Sequence, residues 1–206
     1  MPTVFAIHTR PGTHLVVRRA VATLPGTELA GRSTSAVEAE RVFDTLAPDA
    51  VTMDVRLPDG DGIELALRLR ARRPELCVVL FSPPDTRLLR RAVSAGITTH
   101  VTPPVEVAEA AAAIGVCLSG GASFGTRSLA RLLREAAEPG KVELSPRERE
   151  VGRLLAAGLS PAEMAEVMHV SESTVKTYLA RARAKIGLPA EPFRRRMPPP
   201  RQGPQH

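Results

Sequence analysis

Three short stretches of the chain are apolar at almost every position: Val4-Phe5-Ala6-Ile7, Ala50-Val51-Thr52-Met53 and Cys77-Val78-Val79-Leu80-Phe81. Runs this short suit strands of a parallel sheet that is covered on both faces. Weaker strand signals lie at residues 28–31 and 99–102. Between the runs, apolar positions recur every three or four residues, which predicts helices over 15–24, 36–46, 63–72, 87–95 and 105–118. Five strands alternating with five helices define an α/β fold, a doubly wound parallel sandwich of flavodoxin-like type over residues 1–118.

The pattern then changes. Ser119-Gly120-Gly121-Ala122-Ser123 breaks the last helix. Residues 119–141 therefore read as a linker, with one connecting helix over 128–137 closed by Pro139-Gly140. From 142 to 188 every signal is helical. Ser145-Pro146-Arg147-Glu148 and Ser160-Pro161-Ala162-Glu163 each place Ser at the N-cap, Pro at the first helical position and Glu three residues after the cap. Each is a reciprocal capping box, worth about 1 kcal/mol per helix start. Gly158 and Gly187 stand where the helices must stop, and a third helix begins at Ser171. Residues 189–206 hold six prolines around Arg194-Arg195-Arg196, a composition that predicts a disordered basic tail.

Charge divides along the same boundary. Residues 1–120 carry 13 arginines, no lysine and 13 carboxylates; residues 121–206 carry 15 basic and 9 acidic groups, so the whole net charge of +6 lies at the back. A neutral front and a basic back suit a regulatory part joined to one that touches a polyanion. Aromatic residues are only 3% of the chain, too few for a base-stacking RNA module. Cys77 and Cys117 stand alone within apolar runs and read as small core hydrophobes, outside any metal-finger or disulfide framework. No uncharged apolar stretch of about eighteen residues exists and the amino terminus lacks a basic region followed by an apolar one, so a soluble, cytoplasmic protein without membrane contact is expected.

On the third helix of the rear unit, a rotation of about 100° per residue gathers Val175, Tyr178, Leu179, Ala182 and Ile186 on one side. Lys176, Thr177, Ala180 and Arg183 fall on the other, joined near the amino end by Ser173. A short capped helix that offers small, hydroxyl and basic side chains to solvent suits the major groove of double-stranded DNA.

Residues 142–188, with Leu144-Ser145-Pro146-Arg147-Glu148-Arg149-Glu150-Val151 and Ser171-Glu172-Ser173-Thr174-Val175-Lys176-Thr177-Tyr178-Leu179, closely resemble a LuxR-type helix-turn-helix. The front domain, through Met53-Asp54-Val55-Arg56-Leu57-Pro58-Asp59-Gly60-Asp61-Gly62, resembles a CheY-like receiver. Together they are similar to response regulators of the NarL/FixJ family, bacterial transcription regulators and not enzymes. The resemblance implies base reading by Lys176, Thr177 and Ala180 and phosphate contact by Ser173 and Thr174. Ala180 replaces the longer polar side chain often found there, so Lys176 and Thr177 carry more of the readout.

The receiver departs from its family where the chemistry lies. Asp54 stands at the phosphoacceptor position, while the acidic pair that holds Mg²⁺ in the family falls on His8 and Thr9. The lysine that pairs with the phosphate falls on Pro103, and no lysine precedes Lys141 anywhere in the chain. Mg²⁺ demands hard oxygen ligands in near-octahedral geometry, and phosphoryl transfer is mostly positioning and charge neutralisation. No metal, cofactor or cognate histidine kinase is therefore expected. His8 is placed to hydrogen-bond Asp54, and Ser82 and His100 occupy the positions whose rearrangement reports phosphorylation in the family. The expectation is a phosphorylation-independent DNA-binding regulator. It forms any homodimer or heterodimer through the receiver or linker, because prolines from Pro189 onward forbid the usual fourth helix. A conventional phosphorylated regulator and a partner that sequesters a related regulator are the alternatives.

Overall fold

Alternate residues of each apolar run face opposite sides of one sheet, as the period of two along a strand requires. The computed structural model describes residues 1–97, 99–121, 123–124, 126–138 and 142–188. The basic tail expected over 189–206 and the expected lack of a fourth helix lie outside these residues.

The strands are β1 (Thr3–Ile7), β2 (Glu28–Ser33), β3 (Ala50–Asp54), β4 (Arg56–Leu57), β5 (Gly60–Asp61), β6 (Cys77–Phe81), β7 (Thr99–Val101) and β8 (Ser123–Phe124). The main sheet runs β2-β1-β3-β6-β7-β8 and every pairing in it is parallel. β4 and β5 form a small antiparallel hairpin after Asp54. The five expected strands are joined by a sixth, β8, which falls in the segment read as linker. Gly120, with φ 77, turns the chain back after helix α5 (Val107–Leu118), and Ser123 and Phe124 then align with Thr99 and His100.

Helices α1 (Pro11–Ala22), α2 (Ala36–Leu46), α3 (Gly62–Arg72) and α4 (Thr86–Ser94) complete the front domain with α5. α1 starts four residues before its apolar pattern does, because Pro11 supplies a preset first turn whatever the polarity of Thr13 and His14. Phe5, Ile7, Val51, Met53, Val78 and Leu80 pack with Ala39 and Phe43 of α2 and with Leu65 and Leu69 of α3. Val4, Ala6, Ala50, Val79 and Phe81 pack on the other face with Val17 and Ala20 of α1 and Ala113 and Ile114 of α5. With both faces covered, a strand can be apolar at every position, and the runs are explained.

Cys77 and Cys117 correct the sequence reading. Both are buried in the second of these cores, as expected of small hydrophobes, but their sulfurs form a disulfide with Cα atoms 5.8 Å apart. Their separation of 40 residues carries no local signal; the packing of the end of α5 beside the start of β6 brings them together.

The rear unit contains α7 (Pro146–Ala156), α8 (Pro161–Met168) and α9 (Glu172–Lys185), and both capping boxes form as expected. Gly158 and Gly187 follow the ends of α7 and α9 with φ of 88 and 81. The connecting helix α6 (Thr126–Ala136) belongs to this core. Its Leu129, Leu132, Leu133 and Ala136 pack with Val151, Met164, Met168, Val175 and Ala182. Leu89 and Val93 of α4 reach into the same cluster, so α4 and α6 form the physical joint between front and rear.

Candidate phosphoacceptor pocket and nucleic-acid interface

Asp54 ends β3 at the carboxyl edge of the sheet, the edge where doubly wound folds place their sites. β1 runs beside β3 in parallel, and the residues that follow β1 therefore lie next to Asp54. His8 Nδ1 donates to Asp54 Oδ1 at 2.9 Å, while the Thr9 backbone N–H and hydroxyl donate to Oδ2 at 2.9 and 3.0 Å. His8 is itself fixed: its Nε2 lies 2.9 Å from Thr52 Oγ1, its ring stacks edge-on against Phe81, and its carbonyl lies 2.8 Å from His14 Nε2. Burial alone would raise the Asp54 carboxyl. The His8 hydrogen bond, the charge interaction with His8 and the two Thr9 bonds outweigh it and hold the group below the usual range. Both carboxylate oxygens are thus occupied by His8 and Thr9.

Mg²⁺ does not fit this donor set. Asp54 supplies the one carboxylate, its oxygens are already bonded, and its neighbours are an imidazole and a threonine. Among the described residues there is no cluster of three or more His, Cys, Asp or Glu able to hold a metal ion. Asp59 and Asp61 are turned to other tasks. Asp59 accepts from Ser35 Oγ and from the Ala36 and Val37 backbone at the start of α2, and these bonds push its carboxyl down to about 2. Asp61 caps α3 and pairs with Arg91 of α4 at 3.0 Å.

Ser82 and His100 meet behind the pocket, at the ends of β6 and β7, both fully buried. Ser82 Oγ and His100 Nε2 are 2.7 Å apart. The Ser82 hydroxyl also donates to the Pro83 carbonyl at 3.1 Å. Burial pushes His100 down to about 4, against a weaker upward pull from a hydrogen bond to the Ser82 backbone, so the ring is neutral near pH 7. Pro103 is exposed beyond β7 and offers no cation.

In the rear unit, Ser171 caps α9 and its hydroxyl meets those of Ser173 and Thr174 at 2.8 and 2.7 Å. Thr177 Oγ1 donates to the Ser173 carbonyl at 2.9 Å. Ser173, Lys176 and Thr177 are exposed; Thr174 and Ala180 are half-buried beside them. Lys176 pairs with Glu172 one turn earlier at 2.6 Å, both ends open to water. Val175 and Ala182 are buried, with Tyr178, Leu179 and Ile186 packed against the same core, so the apolar side of the helix is where its periodicity puts it.

Arg183 departs from that wheel. It is half-buried, its Nε is enclosed without a hydrogen-bond partner, and burial lowers its guanidinium from the usual value. The structure does not bring it to the open face with Lys176 and Thr177. The reading from sequence also missed Thr52 and His14, which immobilise His8 from below; a hydroxyl inside an apolar strand run was the signal available for Thr52.

A parallel receiver sheet ending in an aspartate, followed by a capped trihelical unit with an open third helix, defines a two-part response regulator. Residues 14–115 match the response regulator receiver domain, and residues 142–191 match the bacterial regulatory proteins of the luxR family. The chain is 35% identical over 185 residues to the DNA-binding transcriptional activator DevR/DosR of Mycobacterium tuberculosis, covering 85% of each protein. It is 29% identical to the transcriptional regulatory protein MctR of Rhizobium johnstonii over 78% of this chain and 76% of that one. In fold it is similar to the RcsB response regulator of Salmonella typhimurium, with a TM-score of 0.60 at 22% identity over 91% of this chain and 94% of that one. The chain belongs to the NarL/FixJ family of DNA-binding response regulators.

Proposed function

We propose that this chain is a transcription regulator that binds promoter DNA through α9 and is set by something other than phosphoryl transfer to Asp54. The observation that carries the reading is the clamp on Asp54. His8 and Thr9 donate to both of its oxygens, where a phosphoryl group and a metal would need them free. The absence of any lysine before Lys141 removes the ammonium that would neutralise a phosphate. Ser82 and His100 remain a movable pair, and a ligand or partner that prefers one receiver conformation would shift its population without phosphate.

Lys176 and Thr177 read base edges in this account, Ser173 and Thr174 hold phosphates, and Ala180 meets a thymine methyl. Arg183 is not given a base contact. RcsB has been solved bound to promoter P1flhDC and as two dimers on two parallel DNAs. By analogy this chain acts as a dimer in the cytoplasm, through its receiver or linker, without enzymatic activity. Leu89 and Val93 of α4 are already covered by α6, which leaves the remaining receiver faces for self-association.

Lys176→Ala tests the interface. It is expected to weaken binding of the purified protein to fragments of its own genomic DNA at least tenfold, about 1.4 kcal/mol, with thermal stability unchanged. Unchanged affinity would remove α9 from the interface. Failure of the wild-type protein to bind any fragment would favour the sequestering partner instead.

A further inference from the structure

The sheet has a second chemical site at the end opposite Asp54. Cys77 opens β6, where its backbone N–H donates to the Asp49 carbonyl at 3.1 Å, and Cys117 sits in the last turn of α5. That turn is finished by Gly120 N–H to the Cys117 carbonyl at 2.9 Å and Gly121 N–H to the Val116 carbonyl at 2.7 Å. The chain then passes through β8 into α6, which walls the rear core. The cross-link thus ties down the last turn of α5, ahead of the connecting segment. It also closes a loop holding Ser82, His100 and all of α4, the helix whose Leu89 enters the rear core.

We propose that Cys77 and Cys117 form a reversible thiol–disulfide switch that fixes or frees the exit of α5 and so the joint between receiver and DNA-binding unit. The proposal rests on the reading above, since a DNA-binding regulator works in the compartment where glutathione-type thiols keep most cysteines reduced. A receiver with apolar cores on both sheet faces has no need of a staple to fold, unlike a small secreted domain. The Cα separation of 5.8 Å lies within the range a disulfide spans. Both side chains are more than nine-tenths buried, and fraying of the last turn of α5 beside Gly120 and Gly121 is the route by which a reagent reaches Cys117.

The oxidant class is a low-molecular-weight disulfide. The Cys117 thiolate attacks one of its sulfurs, forming a mixed disulfide and expelling one small thiolate. The Cys77 thiolate then attacks Cys117, closing the protein bond and expelling the second. The protein loses two electrons and two protons; the small disulfide gains both as two thiols.

The test uses the full-length protein equilibrated in glutathione buffers from fully reduced to fully oxidised, without denaturant. Free thiols are counted by alkylation and intact mass, and amide exchange is followed in the last turn of α5 and in α6. Thiol count is expected to pass from two to zero across the series. Reduction should accelerate exchange of those amides at least tenfold and change affinity for genomic DNA at least threefold, and Cys117→Ser should respond to neither buffer. Should that variant not fold, wild-type protein alkylated in the reduced state serves in its place. A bond that resists native reduction, two thiols that persist in oxidised glutathione, or a full titration with unchanged exchange would each overturn the switch. Absence of DNA binding in both forms would instead count against the DNA-binding reading, while exchange still decides the switch.

Discussion

Gly62→Ala is expected to lower stability by about 3 kcal/mol, a fall in melting temperature of roughly 6–12 °C for a chain of this size. Gly62 opens α3 and its N–H donates to the Val55 carbonyl at 2.8 Å. A Cβ there would lie 2.2 Å from the Asp54 carbonyl oxygen and 3.2 Å from the Val55 Cα. Both are backbone atoms and neither can swing aside. β3 is held by its ladder to β6, and Val55 N–H donates to the Phe81 carbonyl at 3.0 Å. Relief requires moving the end of β3, and with it the carboxylate that His8 and Thr9 grip. Gly12→Ala is the control, because nothing lies within 4 Å of a Cβ at that position. Calorimetry of both variants checks the account; a Gly62→Ala protein within about 0.5 kcal/mol of wild type would show that α3 does not press on Asp54 as described.

The second large effect is a loss of stability in mild acid from one buried ring. Unfolded His100 takes up a proton near pH 6.5, whereas in the folded protein burial delays this to about 4. Across that window the unfolded state binds more protons, so stability falls as pH drops from about 6.5 towards 4 and levels off below. The full contribution is about 3 kcal/mol at 1.36 kcal/mol per pH unit. His14, also lowered by burial, adds to the same slope. Denaturant unfolding of wild type and His100→Asn at pH 7.5, 6 and 5 isolates the His100 part: the variant should lose most of the slope. Equal slopes would mean that His100 titrates normally and that the Ser82 pair is open to water.

How far the residue order revealed all this depended on whether a signal was local. The runs at Val4, Ala50 and Cys77 showed a sheet covered on both faces, because each position of such a strand must be apolar. The Ser-Pro-x-Glu boxes showed where α7 and α8 begin, since capping is settled within four residues. The pairing of His8 with Asp54 could be inferred from adjacent parallel strands. What escaped was non-local. Cys77 and Cys117 meet only when α5 folds back on β6, and β8 pairs only because Gly120 reverses the chain. Arg183 lies on the polar side of an isolated helix, yet packing around α9 closes over its Nε. Thr9 follows β1 in the sequence, but its double donation to Asp54 depends on a loop conformation that no periodicity encodes.

Titration of a labelled genomic DNA fragment with the full-length protein, with and without acetyl phosphate and Mg²⁺, tests the central claim most directly when wild type is run beside Asp54→Asn. Wild type is expected to show one affinity under both conditions. Binding by wild type that tightens on treatment with the phosphoryl donor, with no such gain in Asp54→Asn, would contradict it.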